Sequence, residues 1–205
     1  MSSYSIKDIL KTITGNIVTI ILCGIIFGGL FGMYAHHKKS TTYTSSRSIF
    51  VTHDFNRANN KKSQVEADQS LVPTYRDILE DQIVMKNARE RLPHKIRKQY
   101  SVNDISQAIS TSAKPDSLVI VVHAKTKKAV DSTEIVNAVT NAFKYELPKV
   151  NGEAGNVHLL SKANEKDARS VTRPSTKKYI VVGTAFGLLL GMILSFSITT
   201  LRKIL

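Results

Sequence analysis

The sequence predicts a small α+β (α/β) domain set between two transmembrane helices, and three observations predict it. Thr12 to Ala35 contains no Asp, Glu, Lys or Arg in 24 residues, and Tyr179 to Leu201 contains none in 23. At about 1.5 Å of rise per residue, either segment as a helix crosses a hydrocarbon core of roughly 30 Å. The third observation is that residues 36–178 between them are polar, with strand and helix periodicities alternating. A segment crossing lipid must satisfy its own backbone, so both ends are expected to be helical. The expected domain order is a tail at 1–11, a first span at 12–35, an α/β domain at 36–178, a second span at 179–201 and a short terminus at 202–205.

A signal peptide is the alternative for the first segment, since Lys7 and Lys11 precede its apolar run. Its length, and the passage of Met33-Tyr34-Ala35 straight into His36-His37 without a small-x-small site, favour an uncleaved span. The glycines inside the spans recur every four residues: Gly24, Gly28 and Gly32 in the first, Gly183, Gly187 and Gly191 in the second. That spacing lines them along one helix face, where small residues let backbones approach closely in lipid. These six are the expected helix-packing residues.

In the middle region Thr42 to Val51 reads as a strand and His53 to Lys62 as a loop. Ser63 to Leu79 reads as a helix that Pro73 should break or kink, and Gln82 to Leu92 as a second helix stopped by Pro93. Ser101 with Asp104 should cap a short helix through Ile109. Ser110–Lys114 and Leu118–Ala124 read as strands joined by the turn Lys114-Pro-Asp-Ser117. The second is almost continuously apolar, so it should be a central strand with Val121 in the core. Lys128 to Leu147 is the strongest helical pattern, ended by Pro148. Val157 to Ala163 reads as a last strand, and Asn164 to Lys178 as a polar return to the membrane.

The chain carries 29 Lys+Arg against 16 Asp+Glu. Without Lys7, Asp8, Lys11, Arg202 and Lys203, the middle region has 25 basic and 15 acidic residues, a net +10. Such a balance suits an anionic partner, whether lipid headgroups or an acidic polysaccharide. The basic residues are scattered in pairs and short clusters without interleaved aromatics, so nucleic acid is not expected. Basic residues flank both sides of both spans, and the positive-inside rule loses force for so long a loop, so charge leaves the orientation open. Cys23 is the only cysteine and lies within the first span, which excludes an intramolecular disulfide.

Catalytic chemistry is not expected. No phosphate loop, GxGxxG or GxSxG motif occurs, and the six histidines show no ligand spacing beyond the adjacent His36-His37. No cofactor and no metal are expected.

The arrangement resembles the Wzz-type polysaccharide co-polymerases, or chain-length determinants, in their short Gram-positive form that accompanies a separate tyrosine kinase. Tyr43-Thr-Ser-Ser-Arg-Ser-Ile-Phe-Val51 resembles the strand after the first span, and Leu71-Val-Pro-Thr-Tyr-Arg-Asp-Ile-Leu79 the family's helix with its Thr74-Tyr75 pair. Leu118 to Ala124, then Ala129, Asn137 and Phe143, resemble the core strand and helix, and Val157 to Ala163 the last strand. The stretch before the second span, usually proline-rich, keeps only Pro174; Asp81 stands where the family often has serine; and only Arg202 to Leu205 follow the second span. The resemblance implies an extracytoplasmic domain with both termini cytoplasmic, and a homo-oligomer working with a polysaccharide polymerase and a lipid-linked glycan. It implies control of polymer length without catalysis, and modulation of a cytoplasmic tyrosine kinase, for which Arg202 and Lys203 are the candidate contacts. A membrane-tethered sensor or adhesion domain signalling through the helical hairpin, or a cytoplasm-facing accessory subunit of a transporter, are the alternatives.

Overall fold

The computed structural model describes residues 15–53 and 61–204, with the backbone alone at 61, 199 and 201–204. The expected tail at 1–11, the start of the first span, most of the loop after His53 and the side chains of Arg202 and Lys203 lie outside that description. The chain forms two compact units: Met1–Ser40 with Thr172–Leu205, and Thr41–Val171.

The first unit contains α1 (Ile17–His37) and α7 (Thr176–Ile204), both long and apolar enough to cross a membrane. Gly24 packs against Leu188, Gly28 against Thr184 and Gly32 against Ile180, so the two helices run antiparallel.

The second unit is a mixed helix and sheet domain. Its strands are β1 (Ser40–Thr52), β2 (Ile109–Ala113), β3 (Val119–Thr126), β4 (Asn156–Leu159) and β5 (Arg169–Arg173), in the order β2-β3-β1-β4 with β5 also on β1. Thirteen residues long, β1 is the spine: Tyr43 to Phe50 pair antiparallel with Thr126 to Val119, and Ile49 to Thr52 with Leu159 to Asn156. The expectation of a central apolar strand holds, since β3 lies between β2 and β1. Pro115 and Asp116 fill the β2–β3 turn; Asp116 takes φ 57°, the left-handed residue that a type II turn requires after its proline.

Helices α2 (Lys61–Glu80), α3 (Gln82–Arg91), α4 (His94–Gln99), α5 (Val102–Ala108) and α6 (Ala129–Val150) complete the unit. The core gathers Ile49 and Val51 of β1, Ile120, Val122 and Ala124 of β3, Tyr75 and Leu79 of α2, Val84, Met85 and Ala88 of α3, and Ile135, Val139, Phe143 and Leu147 of α6. Burial of such large aliphatic and aromatic side chains contributes about 1.5–3 kcal/mol each relative to exposure.

Four expectations are corrected. Helix α2 is not interrupted at Pro73: the ring is exposed, and Val72, Tyr75 and Leu79 on the opposite face anchor both flanking turns in the core. Helix α6 continues past Pro148 to Val150, and Asn151 N–H closes its end on the Leu147 carbonyl at 3.0 Å. Val121 is half-buried on the sheet face away from the core, because alternation along β3 turns Ile120 and Val122 inward instead. The stretch before the second span contains β5, whose side chains are mostly exposed, so no alternating pattern betrayed it. The short α4 also escaped the sequence; its last carbonyls are satisfied by Arg89, whose guanidinium donates to Arg97 O at 3.1 Å and Tyr100 O at 2.9 Å. The capping box is present as expected: Asp104 N–H donates to Ser101 Oγ, and Ser101 N–H to the Asp104 carboxylate.

Candidate functional site

The helix pair of the first unit is built on the six glycines, and the two rows of three face different things. An added Cβ on Gly24 or Gly32 would meet side chains, Leu188 at 3.0 Å and Ile180 at 2.7 Å, while one on Gly28 would collide with the Thr184 hydroxyl. On α7 the obstacles include main chain: Gly183 would meet Phe27 O at 2.8 Å, Gly187 the Cys23 O at 2.6 Å and Gly24 Cα at 2.9 Å, and Gly191 the Ile20 Cα at 2.9 Å. Backbone cannot rotate away as a side chain can, so the α7 glycines set how closely the helices approach. Around this contact Phe186 lies edge-on to Phe27, ring centroids 5.9 Å apart, and Tyr34 lies 6.4 Å from Tyr179. Sequence spacing pointed to all six glycines, but not to the asymmetry between the two helices.

The residues carrying the family resemblance are not brought to one place. Tyr43 is half-buried on β1 opposite Thr126, Thr74 is exposed on α2, and Pro174 is half-buried after a cis peptide bond with Arg173. Tyr75 and Asn137 act as internal clamps. Tyr75 is buried, and its hydroxyl accepts from Gly155 N–H at 3.3 Å. Gly155 approaches β1 so closely that a Cβ would lie 2.8 Å from the Thr52 carbonyl carbon. Asn137, buried on α6, donates to Ala163 O at 3.1 Å and accepts from Ala163 N–H at 3.0 Å, satisfying both main-chain groups after β4. An open cleft of ≈ 340 Å³ adjoins this clamp, lined by Glu134, Asn137, Lys162 and Glu165 among others.

A polar seam that sequence reading missed joins β1 to α6. Ser45 Oγ lies 2.9 Å from Ser132 Oγ and 2.8 Å from Thr133 Oγ1. One step along, the buried Arg47 donates to Thr140 Oγ1 at 3.2 Å and to Leu160 O at 3.3 Å. Burial pulls the Arg47 pKa below its ordinary value, but a guanidinium remains charged in a protein. Inward-facing Ser and Arg broke the apolar alternation of β1, which is why the sequence did not reveal the seam.

A second missed cluster ties the end of β1 to α2. Asp68, almost wholly buried, accepts from Thr52 Oγ1 at 3.1 Å, from His53 N–H at 3.0 Å and from Gln64 at 3.2 Å, and contacts His53 Nδ1 at 2.5 Å. His53 Nε2 donates to the Glu153 carbonyl at 2.7 Å. Both ring partners only accept, so the imidazole satisfies both when it carries two protons. The Glu153 hydrogen bond and then Asp68 raise the His53 pKa. Burial alone would raise the Asp68 carboxyl; the bonds from His53 and Gln64 outweigh it and hold the group below its usual range.

Among the described residues no group of three or more His, Cys, Asp or Glu side chains is placed to hold a metal ion. His123, expected as a sheet residue, sits between Ser46 at 2.7 Å and Ser112 at 3.0 Å on neighbouring strands, and burial lowers its pKa.

Comparison with known proteins matches residues 3–92 to the Wzz family model, described as chain length determinant protein. The chain is similar to the probable capsular polysaccharide biosynthesis protein YwqC of Bacillus subtilis, 23% identical over 187 residues that cover 91% of this chain and 73% of that protein. It is also similar to the capsular polysaccharide biosynthesis protein CapA of Staphylococcus aureus, 23% identical over 176 residues, covering 84% and 76% of the two chains. Two membrane-length helices thus enclose a mixed helix and sheet unit in the sequence, residues 3–92 match the Wzz chain length determinant model, and most of the chain is similar to Gram-positive capsular polysaccharide biosynthesis proteins.

Proposed function

We propose that this protein is a non-enzymatic membrane regulator of capsular or exopolysaccharide biosynthesis that sets how far the polymer is extended. The observation that carries the reading is the combination of a Wzz match at residues 3–92 with two membrane-length helices packed on each other through six glycines. In this reading the protein is a multi-pass cell-membrane protein: both termini are cytoplasmic, 12–35 and 179–201 span the membrane, and 36–178 lie outside. It works as a homo-oligomer beside a polymerase that extends a lipid-linked glycan. Arg202 and Lys203 are positioned in sequence to touch a cytoplasmic tyrosine kinase, whose modulation is the second part of the proposal.

A scaffold acts on how often extension stops rather than on which bonds are made. Deleting the gene should therefore leave the sugar composition and linkages of the surface polysaccharide unchanged; a missing sugar or linkage would mean an enzyme has been lost. Orientation is read separately, with Cys23 replaced and a single cysteine at exposed Asn151. An impermeant thiol reagent should label it in intact cells, and labelling only after lysis would invert the topology.

A further inference from the structure

An open cleft of ≈ 500 Å³ in the second unit lies where the ends of four elements meet: α4, α5, β3 and the start of α6. That volume is within the roughly 300–1,000 Å³ of small-molecule sites. Lys125, Lys127 and Lys128 line it, all exposed, and none has a carboxylate within ion-pair distance among the described residues. The two acids in the cleft are already engaged. Asp131 is buried and accepts from the Tyr100 hydroxyl at 3.0 Å, and Asp104 accepts from Ser101 N–H and Oγ at 2.8 and 2.7 Å. Three lysines against two carboxylates leave the cleft with a formal net charge of +1, and the lysines are the charges that no carboxylate pairs among the described residues.

The walls are held before any ligand arrives. Thr126 Oγ1, buried, donates to Lys128 O at 2.7 Å and fixes the turn that carries Lys127 and Lys128, while Lys125 is held in β3. The Tyr100 ring is held through Asp131 at one end and through Arg89, which grips the Tyr100 carbonyl at 2.9 Å, at the other. Burial and then Asp131 push the Tyr100 hydroxyl pKa up, so it keeps its proton and its bond. Tyr100 is partly buried against the core and lines the cleft with what remains accessible, and Gln99 and Gln107 in the same lining offer amide donors and acceptors.

We infer that this cleft binds an acidic saccharide: the lysines take the carboxylates, the Tyr100 face packs on a pyranose ring, and the two glutamines bond its hydroxyls. This inference rests on the capsule reading above and specifies which surface of the protein meets the polymer. Nucleic acid is the poorer fit, because a single aromatic stands at the site and no series of rings is available to stack successive bases.

The test uses the full chain in detergent micelles and measures binding of a short oligogalacturonate by calorimetry. Saturable binding that weakens with salt is expected, with no binding of a neutral maltooligosaccharide. Lys125→Gln/Lys127→Gln/Lys128→Gln should weaken it about tenfold, whereas the charge-matched control Lys86→Gln/Lys114→Gln/Lys144→Gln, exposed positions outside the cleft lining, should leave it intact. Tyr100→Leu should weaken binding at unchanged salt dependence. Equal loss in both triple variants, no binding by the native chain, or equal affinity for a single-stranded oligonucleotide of the same charge would each overturn the inference. Failure here with an altered polymer length in the deletion strain would remove this site alone; binding here with polymer length unaffected would remove the length-control reading instead.

Discussion

Gly187→Leu is the perturbation that the helix pair resists most. Its new Cβ would stand 2.6 Å from the Cys23 carbonyl oxygen and 2.9 Å from both Gly24 Cα and Phe27 Cβ. Ordinary contact begins at 3.4 Å, so α7 must withdraw from α1 by about 0.8 Å even before the rest of the leucine is accommodated. A gap of 0.5–1 Å forfeits about a quarter to a half of each dispersion contact across the interface. Dispersion and close backbone packing are what hold helices together in lipid. Overpacking of this kind costs about 1–3 kcal/mol. Gly24→Leu meets only the movable Leu188 and Thr184 side chains and should cost less. The contact lies within one chain, so the effect should appear first in the hairpin and only secondarily in a cross-linked oligomer ladder. Unfolding of the detergent-solubilised chain in graded SDS, followed by circular dichroism, ranks the variants. Equal stability of Gly187→Leu and the native chain would refute the reasoning, and so would a Gly24→Leu more damaging than Gly187→Leu.

Other consequences are as direct. In Gly191→Cys the new Cβ sits 3.2 Å from that of Cys23, close to disulfide range, so mild oxidation should form an intrachain bridge that protects both thiols from a maleimide mass tag; free thiols would contradict the helix register. Asn137→Ala leaves both main-chain groups of Ala163 without their partner and should cost about 1–3 kcal/mol by urea denaturation. Because the folded His53 pKa is raised, its contribution is complete below the unfolded pKa of about 6.5 and is lost as pH rises through the higher folded value. His53→Ala should abolish that step, while the Asp68 contribution, from a depressed pKa, disappears only as pH falls into the carboxylate range; an unchanged pH profile in His53→Ala would exclude a stabilising His53–Asp68 contact. Val122→Asp buries an unpaired carboxylate and should prevent folding of the second unit, whereas Val121→Asp on the half-buried face should be tolerated, as thermal melts will show.

Where the chain obeys a simple period, its structure was legible. The aliphatic run of β3, the helical spacing from Val130 to Leu147 and the capping residues Ser101 and Asp104 all appear where their patterns place them. The four-residue glycine register likewise marked the faces that pack. Polar elements were opaque: β5 exposes nearly every side chain, and α4 has only Ile96 buried, so neither writes a hydrophobic period. The prolines misled because rules for isolated helices omit the tertiary packing that carries α2 through Pro73. The Arg47 seam, the His53–Asp68 cluster and the lysine-lined cleft combine residues far apart in the chain, and their geometry exists only after folding. Resemblance to the family found Tyr75 and Asn137, but their roles as clamps on Gly155 and Ala163 come from contacts that sequence does not display.

The molar-mass distribution of the surface polysaccharide tests the central claim most directly, measured by size-exclusion chromatography with light scattering. Strains would carry a deletion of the gene complemented by the native chain, by Val122→Asp or by Gly187→Leu. The account predicts a shifted or broadened distribution in the deletion and with Val122→Asp, an intermediate one with Gly187→Leu, and restoration by the native chain, all at constant sugar composition. A distribution in the deletion strain that superimposes on the native one would contradict length control by this protein.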